Sequence, residues 1–126
     1  MQIRFFRCAK CGQTVALIKA SKCPVVCCGE PMEELKAGTV EASREKHIPV
    51  CELKDGKAYV TVGSVEHPME EKHYIEWILL QTNLGNQRKT LAPGMEPKVV
   101  FPLLDGEKVE AVYAYCNLHS LWKAEA

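Results

Sequence analysis

The chain lacks any uninterrupted apolar run approaching the ~18–20 residues a membrane-spanning helix needs, which argues against a membrane protein. It also lacks a secretory start. Met1-Gln2-Ile3-Arg4-Phe5-Phe6-Arg7-Cys8 is too short and too charged for a signal peptide, so the expected compartment is the cytoplasm. Neither sign of charge dominates: Lys plus Arg number 16, Asp plus Glu number 16, and the formal net charge is zero. That excludes the basic footprint of a nucleic-acid binder. The balance is uneven, with six basic and three acidic side chains in residues 1–37 and ten and thirteen in residues 38–126. Metal-bound thiolates would alter the first figure. An even cysteine count is missing too. Seven cysteines cannot all pair as disulfides, and clustered cysteines in a cytosolic chain point to metal.

What is present is an ordinary globular balance, 47% hydrophobic and 25% charged over 126 residues. That length suits one domain, or a small domain plus a smaller module. A first unit, 1–37, has short apolar stretches broken by cysteines and turn residues. Thirty-seven residues cannot bury enough surface to fold without a staple such as a metal. A second unit, 38–126, reads as all-β. Strands are expected over 48–53 and 58–62, joined through Asp55-Gly56 as a hairpin. Further strands are expected over 74–80, 98–104 and 110–115, the last two separated by Asp105-Gly106. This pattern suggests a small sandwich or barrel. A short helical turn is expected over 41–46, and no long amphipathic helix or internal repeat is found.

Four cysteines form the first candidate metal set: Cys8-x2-Cys11-x15-Cys27-Cys28. Four thiolates can complete a tetrahedral site suited to zinc or a single iron. The second pair is adjacent, so it can share one ion only if the backbone bends there. Cys23 lies in the same loop and is treated as a spare thiol. The plainer reading of this set is a structural zinc that folds the first unit.

All four histidines fall in the second unit. His47, His67 and His73 precede Cys116-Asn117-Leu118-His119. A lone histidine is most often a surface or satisfied core residue, but their company changes the weight. Five donors exceed the four usual for zinc, and imidazole with thiolate favours a redox-active metal. Four imidazoles and one thiolate can form a square pyramid with one open position. The competing reading is a four-ligand zinc site with one histidine left over.

These motifs together resemble desulfoferrodoxin, the two-iron form of superoxide reductase. The matching segments are Cys8-Ala9-Lys10-Cys11 with Cys27-Cys28-Gly29-Glu30-Pro31-Met32, and Glu45-Lys46-His47-Ile48-Pro49-Val50. His67-Pro68-Met69-Glu70-Glu71-Lys72-His73 with Ile75-Glu76-Trp77, and Cys116-Asn117-Leu118-His119 with Trp122-Lys123-Ala124-Glu125, complete the match. The resemblance implies a mainly β protein: a small desulforedoxin-like, metal-stapled N-terminal domain (1–37), then an immunoglobulin-like β-sandwich (38–126) carrying the catalytic centre. It implies two irons per chain. Cys8, Cys11, Cys27 and Cys28 would hold one in a rubredoxin-like site. His47, His67, His73 and His119 would be equatorial ligands of the other, with Cys116 axial.

Glu45 is similar in position to the family glutamate that takes the sixth position in the resting ferric form, and Lys46 to the lysine near the open face. The implied reaction is one-electron reduction of superoxide to hydrogen peroxide, with re-reduction by a donor such as rubredoxin. A homodimer is implied as well. Cys51 is expected in core packing rather than ligation. The alternatives are a non-catalytic two-iron electron-transfer protein and a zinc-stapled binding module.

Overall fold

The structure, a computed structural model, describes residues 3–126. The chain divides into two compact units, Met1–Lys36 and Ala37–Ala126.

The first unit is built from very short strands: β1 (Arg4–Arg7), β2 (Thr14–Leu17), β3 (Val26–Cys27), β4 (Glu30–Pro31) and β5 (Glu33–Glu34). They form an antiparallel sheet in the order β2-β1-β5 and a separate β3-β4 ribbon. Phe5, Cys8 and Met32 are its buried apolar side chains. Three such residues remove too little surface from water to offset the chain entropy of a unit this size.

The second unit begins with one helical turn, α1 (Arg44–His47), followed by β6 (Pro49–Lys54), β7 (Lys57–Val62), β8 (Ile75–Thr82), β9 (Gly85–Thr90), β10 (Lys98–Pro102), β11 (Val109–Cys116) and β12 (Ser120–Glu125). Two antiparallel sheets result, in the orders β10-β7-β6 and β12-β11-β8-β9. Period-two alternation points Ala58, Val60 and Val62 of β7 and Val99 and Phe101 of β10 inward. They meet Ile75, Ile78 and Leu80 of β8 and Val112, Ala114 and Cys116 of β11 in one core. Three strands packed on four make the sandwich expected of an immunoglobulin-like body.

The two Asp-Gly pairs take different places in the fold. At Asp55-Gly56 both residues have positive φ, 52° and 71°, as a tight two-residue hairpin turn requires, and Lys54 pairs with Lys57 across it. Asp105-Gly106 instead links β10 to β11, which lie in different sheets. The helical turn sits at Arg44–His47, later than expected, because Ser43 and Ile48 are both extended and bracket it. β9 and β12 carried no strand expectation. β9 (GNQRKT) is a polar edge strand held by its pairing with β8. Among the described residues, no helix is long and apolar enough to cross a membrane.

Candidate metal centres

In the first unit the sulfur atoms of Cys8, Cys11, Cys27 and Cys28 lie within 4.8 Å of one another. The adjacent pair converges because the backbone bends at Cys28 (φ 53°) and Gly29 (φ 75°), both left-handed. Cys11 Sγ lies 3.6 Å from Cys27 Sγ, and Cys27 Sγ lies 4.0 Å from Cys28 Sγ. Thiolates on bonds of about 2.3 Å around a tetrahedron lie about 3.8 Å apart, so the observed spacings bracket a metal-sized gap. The Cys11 backbone N–H points at Cys8 Sγ at 3.5 Å. This backbone donor helps pull the Cys8 thiol down to about 6. The same crowding, led by Cys11, pushes Cys27 up to about 12. Four thiolates this close repel one another unless a cation sits among them. Cys23 lies exposed in the loop between β2 and β3.

The second set assembles at one end of the sandwich. His47 closes α1, which Ser43 precedes. His67 and His73 lie on the loop between β7 and β8, and Cys116 ends β11. His119 sits in the three-residue turn to β12, where Ser120 takes φ 64° to complete the reversal. A register shift in the β8–β11 pairing skips Glu76, so that Ile75 opposes Cys116. The bulge keeps Ile75 and Ile78 both in the core although they are an odd number of residues apart.

The four imidazoles form a closed ring. Centroid distances run 4.6 Å from His47 to His67, 4.6 Å to His73, 5.1 Å to His119 and 4.9 Å back to His47. The His47–His73 diagonal is longer, 6.3 Å. Donor atoms of His47, His67, His73 and Cys116 all fall within 4.8 Å of one another. His119 joins them through its Nδ1, 3.1 Å from His47 Nε2 and 3.8 Å from Cys116 Sγ.

Hydrogen bonding settles which ring nitrogens face inward. His47 Nδ1 lies 2.6 Å from the Ser43 carbonyl, and His67 Nδ1 lies 2.7 Å from the Pro68 carbonyl. A carbonyl only accepts, so both Nδ1 atoms carry the proton. Burial, the leading cause, lowers His47 and holds His67 down at about 4, so both rings are neutral at ordinary pH. Their Nε2 atoms therefore present lone pairs, and these face each other at 3.1 Å. His73 Nε2 is buried with no hydrogen-bond partner. Lone pairs aimed at one another, beside an orphaned nitrogen, fit a cation. Donors at right angles on bonds of about 2.1 Å lie about 3.0 Å apart, against about 3.4 Å for a tetrahedron. The 3.1 Å spacings of His47 to His67 and to His119 match the square arrangement.

Cys116 is fully buried. Burial raises its thiol, while the backbone N–H groups of His119 and Leu118 pull the other way. Trp122 packs its ring on His47 at 4.8 Å and donates from Nε1 to the His119 carbonyl at 2.9 Å. Glu45 and Lys46 are exposed on α1. Burial is also the leading cause that lowers His73, and the Lys46 charge adds a smaller lowering at both His47 and His73. The Glu45 carboxylate is not among the gathered donors. Cys51 is half-buried against the sandwich core and outside both clusters, as expected of a small apolar packer.

Supporting groups that the sequence reading did not single out are now visible. Gly63 has its Cα against α1, where an added Cβ would sit 2.5 Å from the Glu45 carbonyl oxygen and 2.8 Å from that of Ile48. Val65 N–H and Ser64 Oγ donate to the same Glu45 carbonyl at 3.0 and 3.2 Å. The signal was weak, because a glycine in a loop reads first as a turn.

The family described as Desulfoferrodoxin matches residues 39–125, and its N-terminal domain matches residues 1–35. The chain belongs to the desulfoferrodoxin family. Desulfoferrodoxin of Nitratidesulfovibrio vulgaris is 47% identical over 125 residues, covering 99% of this chain and 98% of that one. Desulfoferrodoxin of Syntrophotalea carbinolica is 44% identical over 124 residues, covering 98% and 97%. Among solved structures, the superoxide reductase from Treponema pallidum superimposes with a TM-score of 0.84 at 36% identity, covering 99% of this chain and all of that one. A one-iron superoxide reductase from Giardia intestinalis, 34% identical with a TM-score of 0.55, covers 65% of this chain and 97% of its own.

Proposed function

We infer that this chain is a superoxide reductase, an oxidoreductase that reduces superoxide by one electron to hydrogen peroxide, and that iron occupies both centres. The observation that carries the reading is the pair of inward lone pairs on His47 and His67 at 3.1 Å, in a square of four imidazoles with the buried Cys116 thiol beside it. In this reading Cys8, Cys11, Cys27 and Cys28 would hold the first iron, and His47, His67, His73, His119 and Cys116 the second. Residues 1–37 form the rubredoxin-type domain and residues 38–126 the catalytic one. The name of the Treponema pallidum structure supports the assignment.

Ferrous iron supplies the single electron when bound. The chain's own residues set the conditions. Neutral imidazoles add no charge to the donor set, so the Cys116 thiolate is its one anionic ligand. A thiolate pushes electron density toward the metal. Lys46 places an ammonium close enough to bias His47 and His73, where it attracts a small anion and orders water for proton delivery. Glu45, on the same turn, carries an exposed carboxylate that would serve as a further anionic ligand to the oxidised metal. An external donor of the rubredoxin kind, a homodimeric state and a cytoplasmic location complete the proposal.

The alternative is a non-catalytic two-iron electron carrier. A carrier profits from closed coordination, and the exposed Glu45-Lys46 pair beside the histidines favours a substrate-binding face. Metal analysis and pulse-generated superoxide decide. Two irons per chain and a fast second-order reaction of the reduced protein are expected, and Cys116→Ser is expected to remove the thiolate-to-iron absorption and most of the activity. Two irons with no reaction would leave the carrier, and zinc in both centres would leave neither.

A further inference from the structure

The four rings are not held alike. His47 and His67 each donate Nδ1–H to a carbonyl of their own segment, Ser43 and Pro68. The backbone of His119 is gripped through its carbonyl by Trp122 Nε1. Among the described residues no carbonyl grips the ring of His73, whose inward Nε2 is buried and unpartnered. Its backbone closes a small turn with Glu70, each N–H donating to the other's carbonyl at 3.0 and 2.9 Å. That turn is a loop feature and does not tie His73 to the rest of the site.

Asn117 supplies the tie. It lies between Cys116 and His119, and its amide reaches both neighbours of His73. Asn117 Oδ1 accepts the Tyr74 backbone N–H at 2.9 Å, and Nδ2 donates to the Lys72 carbonyl at 3.0 Å. The Asn117 backbone N–H adds a third bond, to the Tyr74 carbonyl at 3.2 Å. The asparagine amide offers an acceptor and a donor on two separate atoms of one short stem, and so can reach two backbone groups at once. We propose that Asn117 is a positioning residue that staples the His73 segment to the Cys116–His119 turn and so sets the His73 corner of the square, whose ring no carbonyl orients.

The proposal rests on the reading of the four imidazoles as metal ligands. Outer groups that orient ligands typically contribute a factor of about 10–100 in metal affinity. The test uses the iron-loaded full chain with an excess of chelator, following loss of the thiolate-to-iron absorption. Asn117→Ala is expected to lose iron from the second centre about tenfold faster or more, with the first centre unchanged. Tyr74 amide exchange should rise with it. In pulsed electron paramagnetic resonance of the oxidised centre, the coupling of one imidazole nitrogen should change while the others hold; a general loosening of the sandwich would alter all of them.

Asn117→Asp keeps the acceptor for Tyr74 and loses the donor to Lys72, so its loss rate should fall between wild type and alanine. A wild-type rate in the alanine variant overturns the proposal. Should that variant not fold, a wild-type rate in the aspartate variant does the same. If the iron-loaded wild type lacks the Cys116-dependent absorption, the ligand reading itself has failed, and that is known before any variant is compared.

Discussion

The two units gather donors that could hold a cation on opposite kinds of support. In the first unit Cys8 is one of three buried apolar side chains, so the ligand cluster is most of the core. In the second, Cys116 is the last residue of a twelve-membered core running through both sheets, and the histidines are mounted at its end, His47 on α1 and the other three on loops. One site therefore makes its fold, while the other is carried by a fold that exists without it. Metal-ligand free energy serves as folding free energy in the first case. In the second it is available to hold a geometry that the bare ligands resist, with lone pairs facing at 3.1 Å.

The largest effect that could break this contrast is removal of a first-centre ligand. Cys11→Ser should abolish the four-sulfur absorption and the order of residues 3–36, read as lost amide protection there. Protection across β6 to β12 and most superoxide reduction should survive. Loss of activity with the second iron still bound would make the first centre an obligatory relay.

Stripping both metals sharpens the contrast further. The first unit should lose structure at neutral pH, while the second keeps its sandwich. The bare second unit should then be acid-sensitive in a defined window. His67 takes up a proton near 6.5 when unfolded but only at about 4 when folded, because burial disfavours the charged ring. The unfolded chain thus binds more protons between these values, and stability falls as pH drops from about 6.5 to about 4. Circular dichroism of the metal-free protein across that range is the check; a flat response would mean that His67 is not held neutral by the fold.

Gly63 offers a smaller test confined to the second unit. A methyl there would press on the Glu45 and Ile48 carbonyls at 2.5 and 2.8 Å, and neither backbone atom can swing aside as a flexible side chain would. Overpacking of this kind costs about 1–3 kcal/mol. Gly63→Ala should lower the unfolding temperature of the sandwich and speed iron loss from the histidine centre, because α1 carries His47. The first centre should keep its iron at the wild-type rate. Equal loss from both centres would show that the two supports are not independent.

What was legible in the sequence follows the same division between donors and supports. The β6–β7 hairpin could be read because Asp55-Gly56 must adopt positive φ, and few residue pairs do. The strand β9 could not, since its polar residues gain from pairing with β8 and not from an apolar face. All nine soft donors of the proposed sites were visible as residue types. The groups that aim them were not. The Ser43 and Pro68 carbonyls are backbone atoms that any residue would supply. Trp122 and Asn117 appeared as motif letters. The Trp122 bond to His119 arises only when β11 and β12 fold back on each other. The Asn117 bonds to Lys72 and Tyr74 arise only when β8 lies beside β11.

The smallest expected effect isolates charge from coordination. The chain is formally neutral, so net charge cannot steer superoxide over long distances. Attraction must come from local positive potential, and Lys46 is the ammonium whose field reaches both His47 and His73. It is exposed and sits on the turn that carries His47, so replacing it removes charge without opening the core. Charge-lined sites raise association rates by roughly 10- to 1000-fold, and the effect weakens with salt. A single lysine belongs at the low end. Lys46→Ile should therefore slow the second-order reaction with superoxide about tenfold and flatten its dependence on ionic strength, while both absorption bands stay in place. Rates measured with pulse-generated superoxide at several salt concentrations separate the two contributions. A slower reaction with an unchanged salt slope would assign Lys46 to proton delivery, and identical rates and slopes would leave the attraction to the metal's own charge.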